Sequence, residues 1–92
     1  MISKRDKAFL EYLREEYRFI ARDENGKLFA YETQPKKEEV CWDSFSLISE
    51  RYLYLNYHFN IDFPMVQWSD SEPWLIEDLE KLEVVEEYEL IN

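Results

Sequence analysis

The chain has 92 residues with 21 acidic against 11 basic side chains, a net charge of −10, and only one glycine and one cysteine. That length supports one hydrophobic core and not two, so a single domain over residues 1–92 is expected. The charge, with no Lys/Arg cluster, excludes direct binding to DNA, RNA or anionic lipid and makes a protein with a basic surface the natural partner.

Sixteen aromatic side chains supply much of the burial an ordered domain of this size needs. The lone Cys41 cannot form an internal bridge or a cysteine-rich zinc cluster, which fits a reducing cytoplasm. Within Val40-Cys41-Trp42 it reads as a buried small hydrophobe on a strand. No run of 18 apolar residues and no secretory leader pattern occurs, so neither a membrane span nor export is expected.

In chain order, Ser3 is a good helix N-cap with Asp6 three residues on. Ala8, Phe9, Tyr12, Leu13 and Tyr17 then recur at spacings of three and four, predicting a helix over residues 4–15. Tyr17 to Arg22 and Lys27 to Glu32 alternate around Asp23-Glu24-Asn25-Gly26, a strong hairpin signal. A two-residue Asn25-Gly26 turn would leave both strand faces mixed. A three-residue loop with Gly26 left-handed pairs Asp23 with Lys27, Ala21 with Phe29 and Phe19 with Tyr31, gathering Tyr17, Phe19, Ala21, Phe29 and Tyr31 on one face. That register is preferred.

Pro35 to Glu38 reads as an exposed connection and Glu39 to Asp43 as a third strand around Trp42. Ser44 to Asn60 satisfies helix and strand periods partially, with the residues around Tyr52 to Tyr57 favouring a fourth strand over 51–57. Asn60 to Pro64 reads as a turn and Met65 to Trp68 as a short strand. Ser71-Glu72-Pro73 marks a helix start, followed by the apolar stripe Leu75, Ile76, Leu79 and Leu82 and a Glu77/Lys81 pair at i and i+4. Val84 to Ile91 alternates imperfectly, as a final strand or a tail would. The whole predicts an α+β domain: a small, mostly antiparallel sheet of three to five strands with N-terminal and C-terminal helices packed on it.

The charge is placed, not spread. Residues 69–92 hold nine carboxylates against Lys81, a net of −8, while the first 68 residues carry only −2. Carboxylates three and four apart on a helix stand about 5–6 Å apart at Cβ, comparable to phosphates along a strand. Glu77, Asp78 and Glu80, preceded by Asp70 and Glu72 and followed by Glu83, could therefore imitate a nucleic acid backbone in a cationic groove. The plainer reading is solubility. Trp68 and Trp74 flank the acidic loop 69–73, a composition found at protein-binding hot spots.

Catalysis has little to stand on. Asp62, Asp70, Glu72, Glu77 and Asp78 are metal-binding residue types without any metal-site spacing, so no metal and no cofactor are expected. His58, between Tyr57 and Phe59, lacks the cue of a base-activated nucleophile. The lone Gly26 leaves no phosphate-cradling loop.

The run Tyr17 to Glu32, followed by Pro35, a charged stretch and Trp42, resembles small uncharacterised acidic proteins of phages and prophages of low-GC Gram-positive bacteria. Val66-Gln67-Trp68-Ser69-Asp70-Ser71-Glu72-Pro73-Trp74 with Ile76-Glu77-Asp78-Leu79 is similar to their tryptophan-rich, acidic close. The resemblance spans about half the chain and assigns no catalytic residue. It implies a non-catalytic accessory protein in the host cytoplasm, of the kind that inhibits host defence nucleases (anti-restriction or anti-CRISPR) by nucleic acid mimicry. The alternative is a structural or assembly module, such as a homodimer using the strand edge at Tyr52 to Tyr57.

Overall fold

The computed structural model describes residues 1–43 and 52–86. The first part of the Ser44 to Asn60 stretch and the end of Val84 to Ile91 lie outside the described residues.

The fold is α+β. It opens on a short strand, β1 (Ile2–Ser3), that runs directly into helix α1 (Lys4–Leu13). Ser3 serves both elements: it pairs in a sheet, and its Oγ accepts the Asp6 amide at 3.1 Å, closing the first helical turn. The buried face of α1 is Asp6, Leu10 and Leu13, at i, i+4 and i+7. This face is rotated from the predicted stripe, because Ala8 and Tyr12 are exposed and Phe9 is half-buried.

Strands β2 (Phe19–Arg22) and β3 (Leu28–Tyr31) form the hairpin in the preferred register, pairing Phe19 with Tyr31 and Ala21 with Phe29. The loop closes through the Asp23 amide to the Lys27 carbonyl at 2.9 Å. Gly26 at φ 91° supplies the left-handed residue the loop demands. Both faces of this hairpin are covered. Ile20, Leu28 and Ala30 face the main core with Leu10, Leu13, Phe63 and Ile76. Ala21 and Tyr31 face a smaller cluster with Trp42, flanked by Phe19, Phe29 and Trp68. Tyr17 packs on the main core, away from the aromatic face predicted for it. Each fully buried Leu, Ile or Phe contributes about 1.5–3 kcal/mol.

The predicted connection after Pro35 is a miniature hairpin. Strand β4 (Lys36–Lys37) pairs with β5 (Trp42–Asp43) across a turn closed by the Glu38 amide and the Cys41 carbonyl at 2.7 Å. Strand structure is thus confined to the end of the predicted Glu39 to Asp43. Pro35 is buried, Val40 is exposed and Cys41 is half-buried. Asp23 anchors this hairpin to the first, its Oδ1 accepting the Trp42 amide at 2.8 Å.

Strand β6 (Tyr52–Tyr54) pairs antiparallel with β3, and the chain then turns into α2 (Leu55–His58). The helical turn places Asn56 beside the β2–β3 loop, where its amide accepts Leu28 N–H at 3.0 Å and donates to the Gly26 carbonyl at 2.9 Å. Side-chain partners of this kind compete with strand continuation, so the predicted strand stops at Tyr54.

Residues 65–68, expected as a strand, form turns. The expected helix start at 71–73 instead leads into β7 (Trp74–Leu75), which pairs antiparallel with Phe19 and Ile20; the helix, α3 (Ile76–Leu79), is a single turn after it. The free edge of β2 captures two residues that local capping signals assign to a helix, a tertiary override of propensity. The main sheet is antiparallel in the order β6-β3-β2-β7. Finally β8 (Val84–Val85) pairs parallel with β1, the Ile2 amide donating to the Glu83 carbonyl at 2.7 Å.

Candidate functional site: an acidic groove beside Trp74

The turn at Gln67 to Asp70 is closed in both directions. The Asp70 amide donates to the Gln67 carbonyl at 3.1 Å, and Asp70 Oδ2 accepts the Gln67 amide at 3.0 Å. The same carboxylate oxygen accepts Trp74 Nε1 at 3.1 Å, so Asp70 is held between a turn and an indole whose body packs on the main core. Lys37 fixes the turn from behind. Its Nζ donates to the carbonyls of Trp68 and Asp70, the latter at 2.9 Å, and lies 4.2 Å from the centroid of the Trp68 ring.

In front of this turn, Asp70, Glu72, Trp74 and Asp78 line a groove of about 500 Å³ with Phe19 and Gln34. Glu72 is exposed, and Asp78 stands 3.8 Å from Lys81 in an i,i+3 pair. Lys81 thereby faces Asp78, not the Glu77 expected. The groove sets the Asp70 carboxylate against the N–H edge of the Trp74 indole and adds Glu72 and Asp78 to its lining, carboxylates of the kind that accept ammonium or guanidinium donors.

The other acidic residues singled out above do not join it. Glu77 and Glu80 line a separate depression with Arg14, Arg18 and Tyr17, where Arg14 Nη1 meets Glu80 Oε2 at 3.2 Å. Glu83 is exposed beside β1. A four-residue helix is too short to carry a ladder of Glu77, Asp78 and Glu80 on one face, so the acidic surface is divided by two arginines. Trp68 lies behind the turn, one ring face covered by Lys37, and contributes rigidity. Lys37 is the organising residue that sequence reasoning missed. Its signal, a lysine two residues after a proline and five before a tryptophan, is indistinguishable locally from a solvated charge.

Asp62 pairs with Arg22, and among the described residues no three His, Cys, Asp or Glu side chains converge as metal ligands. His58 is exposed and packs edge-on against Tyr54 and Tyr57 at 5.6 and 5.1 Å.

Shifted acidities gather around Trp42. Burial raises the Asp23 carboxyl despite the Trp42 amide and Lys27. Burial, then the carboxylates of Asp23, Asp43 and Glu38, raise the Cys41 thiol. Burial and Asp23 raise the Tyr31 phenol. All three favour the neutral form, and a thiol pushed up holds less thiolate, the nucleophilic form, at neutral pH. No helix among the described residues is long and apolar enough to cross a membrane. In comparisons with known proteins, no family model, no curated protein and no solved structure matches the chain.

Proposed function

We propose that this chain is a non-catalytic binding protein whose acidic groove engages a basic surface of a nucleic-acid-handling protein. In this reading it is a phage accessory protein acting in the host cytoplasm on a defence nuclease. The observation that carries the reading is Asp70, fixed by the Trp74 indole and the Gln67 amide at the mouth of a groove shared with Glu72 and Asp78. A carboxylate already locked in place loses little freedom on binding. Its neighbours add the long-range attraction that steers a cationic partner and fades with salt. The imitation of a nucleic acid rests on Asp70, Glu72 and Asp78; on the other side Arg14 and Arg18 balance the charge of Glu77 and Glu80.

The test is capture from host lysate by the wild-type chain and by a Glu72→Lys/Asp78→Lys variant, at low and moderate salt, with and without competing duplex DNA. A nucleic-acid-binding protein retained by the wild type at low salt, released by salt or DNA and not held by the variant, supports the proposal. Equal retention by the variant removes it.

A second reading, an assembly module, draws on β6, the outer strand of the sheet among the described residues. Tyr52 on β6 is 65% exposed and Tyr57 after it 74% exposed, a placement suited to a second copy adding to the edge. A concentration-dependent dimer in light scattering, abolished by Tyr52→Glu, favours that reading.

A further inference from the structure

Of Asn25, Asn56 and Asn60, only the first precedes a residue without a side chain: Gly26, against Tyr57 and Ile61. A backbone nitrogen with no Cβ beside it is free to turn onto the preceding carboxamide carbon. Apart from its chain neighbours, no atom lies within 4 Å of where a Cβ on Gly26 would stand, and Asn25 is exposed.

The β2–β3 loop sets the two reacting groups in opposite states. Asn25 Oδ1 accepts the Lys27 amide at 3.0 Å, so a donor already sits at the oxygen that gains negative charge when its carbon is attacked. The nucleophile, by contrast, is latched. The Gly26 amide donates its proton to the Asp23 carbonyl at 2.9 Å, and the Gly26 carbonyl is gripped by Arg22 Nη1 and Asn56 Nδ2, each at 2.9 Å. Attack requires that proton to be lost and the peptide to rotate, so it awaits local opening of the loop.

From the Asn-Gly pair, the polarised carboxamide and the latched amide, we infer that Asn25 is a covalent modification site, converted to aspartate and isoaspartate through a cyclic imide when the β2–β3 loop opens. The Gly26 nitrogen bonds to Asn25 Cγ, the Cγ–Nδ2 bond breaks, and the proton lost from Gly26 is made good on the departing nitrogen, which leaves as ammonia. Water then opens the ring. Opening at Cγ restores the ordinary backbone with an aspartate, one more negative charge beside Asp23 and Glu24. Opening at the main-chain carbonyl routes the backbone through Cβ as isoaspartate. The extra methylene then lies inside the Asp23–Lys27 closing pair and spoils the register that the hydrogen bonds of the loop require. The site shares no residue with the acidic groove, so it stands or falls separately from the proposed function.

The experiment incubates the full chain at mildly alkaline pH, folded and in guanidinium chloride, and follows ammonia release. Peptide mass mapping and isoaspartyl methyltransferase labelling locate the product. Conversion is expected at Asn25 and not at Asn56 or Asn60, and faster in the unfolded chain than in the folded one. Asn56→Asp keeps the acceptor for the Leu28 amide but loses the donor to Gly26, and is expected to speed native-state conversion about two- to tenfold. The isoaspartate product is expected to melt below Asn25→Asp, which has the same charge on an ordinary backbone. No conversion at Asn25 in the unfolded chain, conversion as fast folded as unfolded, or an unchanged native rate in Asn56→Asp with a native spectrum would each overturn the inference.

Discussion

The ammonium of Lys37 rests 4.2 Å from the centroid of the Trp68 indole while donating to the backbone carbonyl of the same residue. One lysine therefore holds both the ring and the main chain of the turn that carries Asp70. Lys37→Met, which keeps the aliphatic stem, is expected to lower stability by about 1–3 kcal/mol through loss of the cation–π contact and two charge-assisted hydrogen bonds. It should also loosen the 67–70 turn, visible as a weaker near-ultraviolet signal from Trp68. Urea midpoints for the wild type and variant check the first effect. A change below about 0.5 kcal/mol would show that the clamp is redundant.

Arg22 joins the hairpin to the loop at 62–66. Its Nε donates to the Val66 carbonyl at 2.7 Å, Nη1 to Gly26 at 2.9 Å and Nη2 to Phe63 at 3.1 Å, with Asp62 as ion-pair partner. The three carbonyls matter more than the exposed carboxylate. Arg22→Lys is expected to cost about 2–4 kcal/mol because a single ammonium cannot span the fork, while Asp62→Asn should cost under about 1 kcal/mol. Equal losses in a denaturant series would reverse that ranking.

Gly26 has φ 91°, and a Cβ built there meets nothing within 4 Å. The penalty of Gly26→Ala is therefore backbone strain alone, about 1–2 kcal/mol, with Gly26→Asn milder because Asn tolerates left-handed conformations. A steric explanation would require the larger Asn to be the worse of the two, so thermal melts of both variants separate the causes.

The Tyr31 phenol is pushed well above its ordinary value, first by burial and then by the charge of Asp23. An acid with a raised folded-state pKa contributes stability that is complete below the unfolded value, about 10, and is lost as pH climbs towards the folded one. The protein should thus lose stability from about pH 10 upward. Tyr31→Phe forfeits only a long 3.4 Å hydrogen bond to the Trp42 carbonyl and should flatten that alkaline decline. Unfolding midpoints compared at neutral and alkaline pH decide it, and parallel declines in the two proteins would exclude Tyr31 as the source.

What could be read from the chain was what is local in it. Asn25-Gly26 fixes the hairpin because the turn and its closing pair lie within five residues, and gathering Phe19, Ala21, Phe29 and Tyr31 on one face selects the register observed. Ser3 and Asp6 likewise mark the start of α1 within one turn. Trp74 and Leu75 carry local helix signals, whereas their strand state depends on Phe19 and Ile20, more than fifty residues earlier. The candidate site shows the same limit. Asp70, Glu72, Trp74 and Asp78 are neighbours in sequence and in space, but the Arg14–Glu80 pair that divides the acidic surface spans most of the chain.

The parallel pairing of β1 with β8 ties Ile2, wholly buried, to Val84. The mate of β1 thus lies at the far end of the described residues, beyond every other strand. Closing so long a loop is entropically slow, so the hairpin can order early while the start of α1 is sealed in place last. Release of the β1–β8 ladder would free Ser3 from its sheet pairing, leaving its cap on α1 and the four-stranded sheet whole.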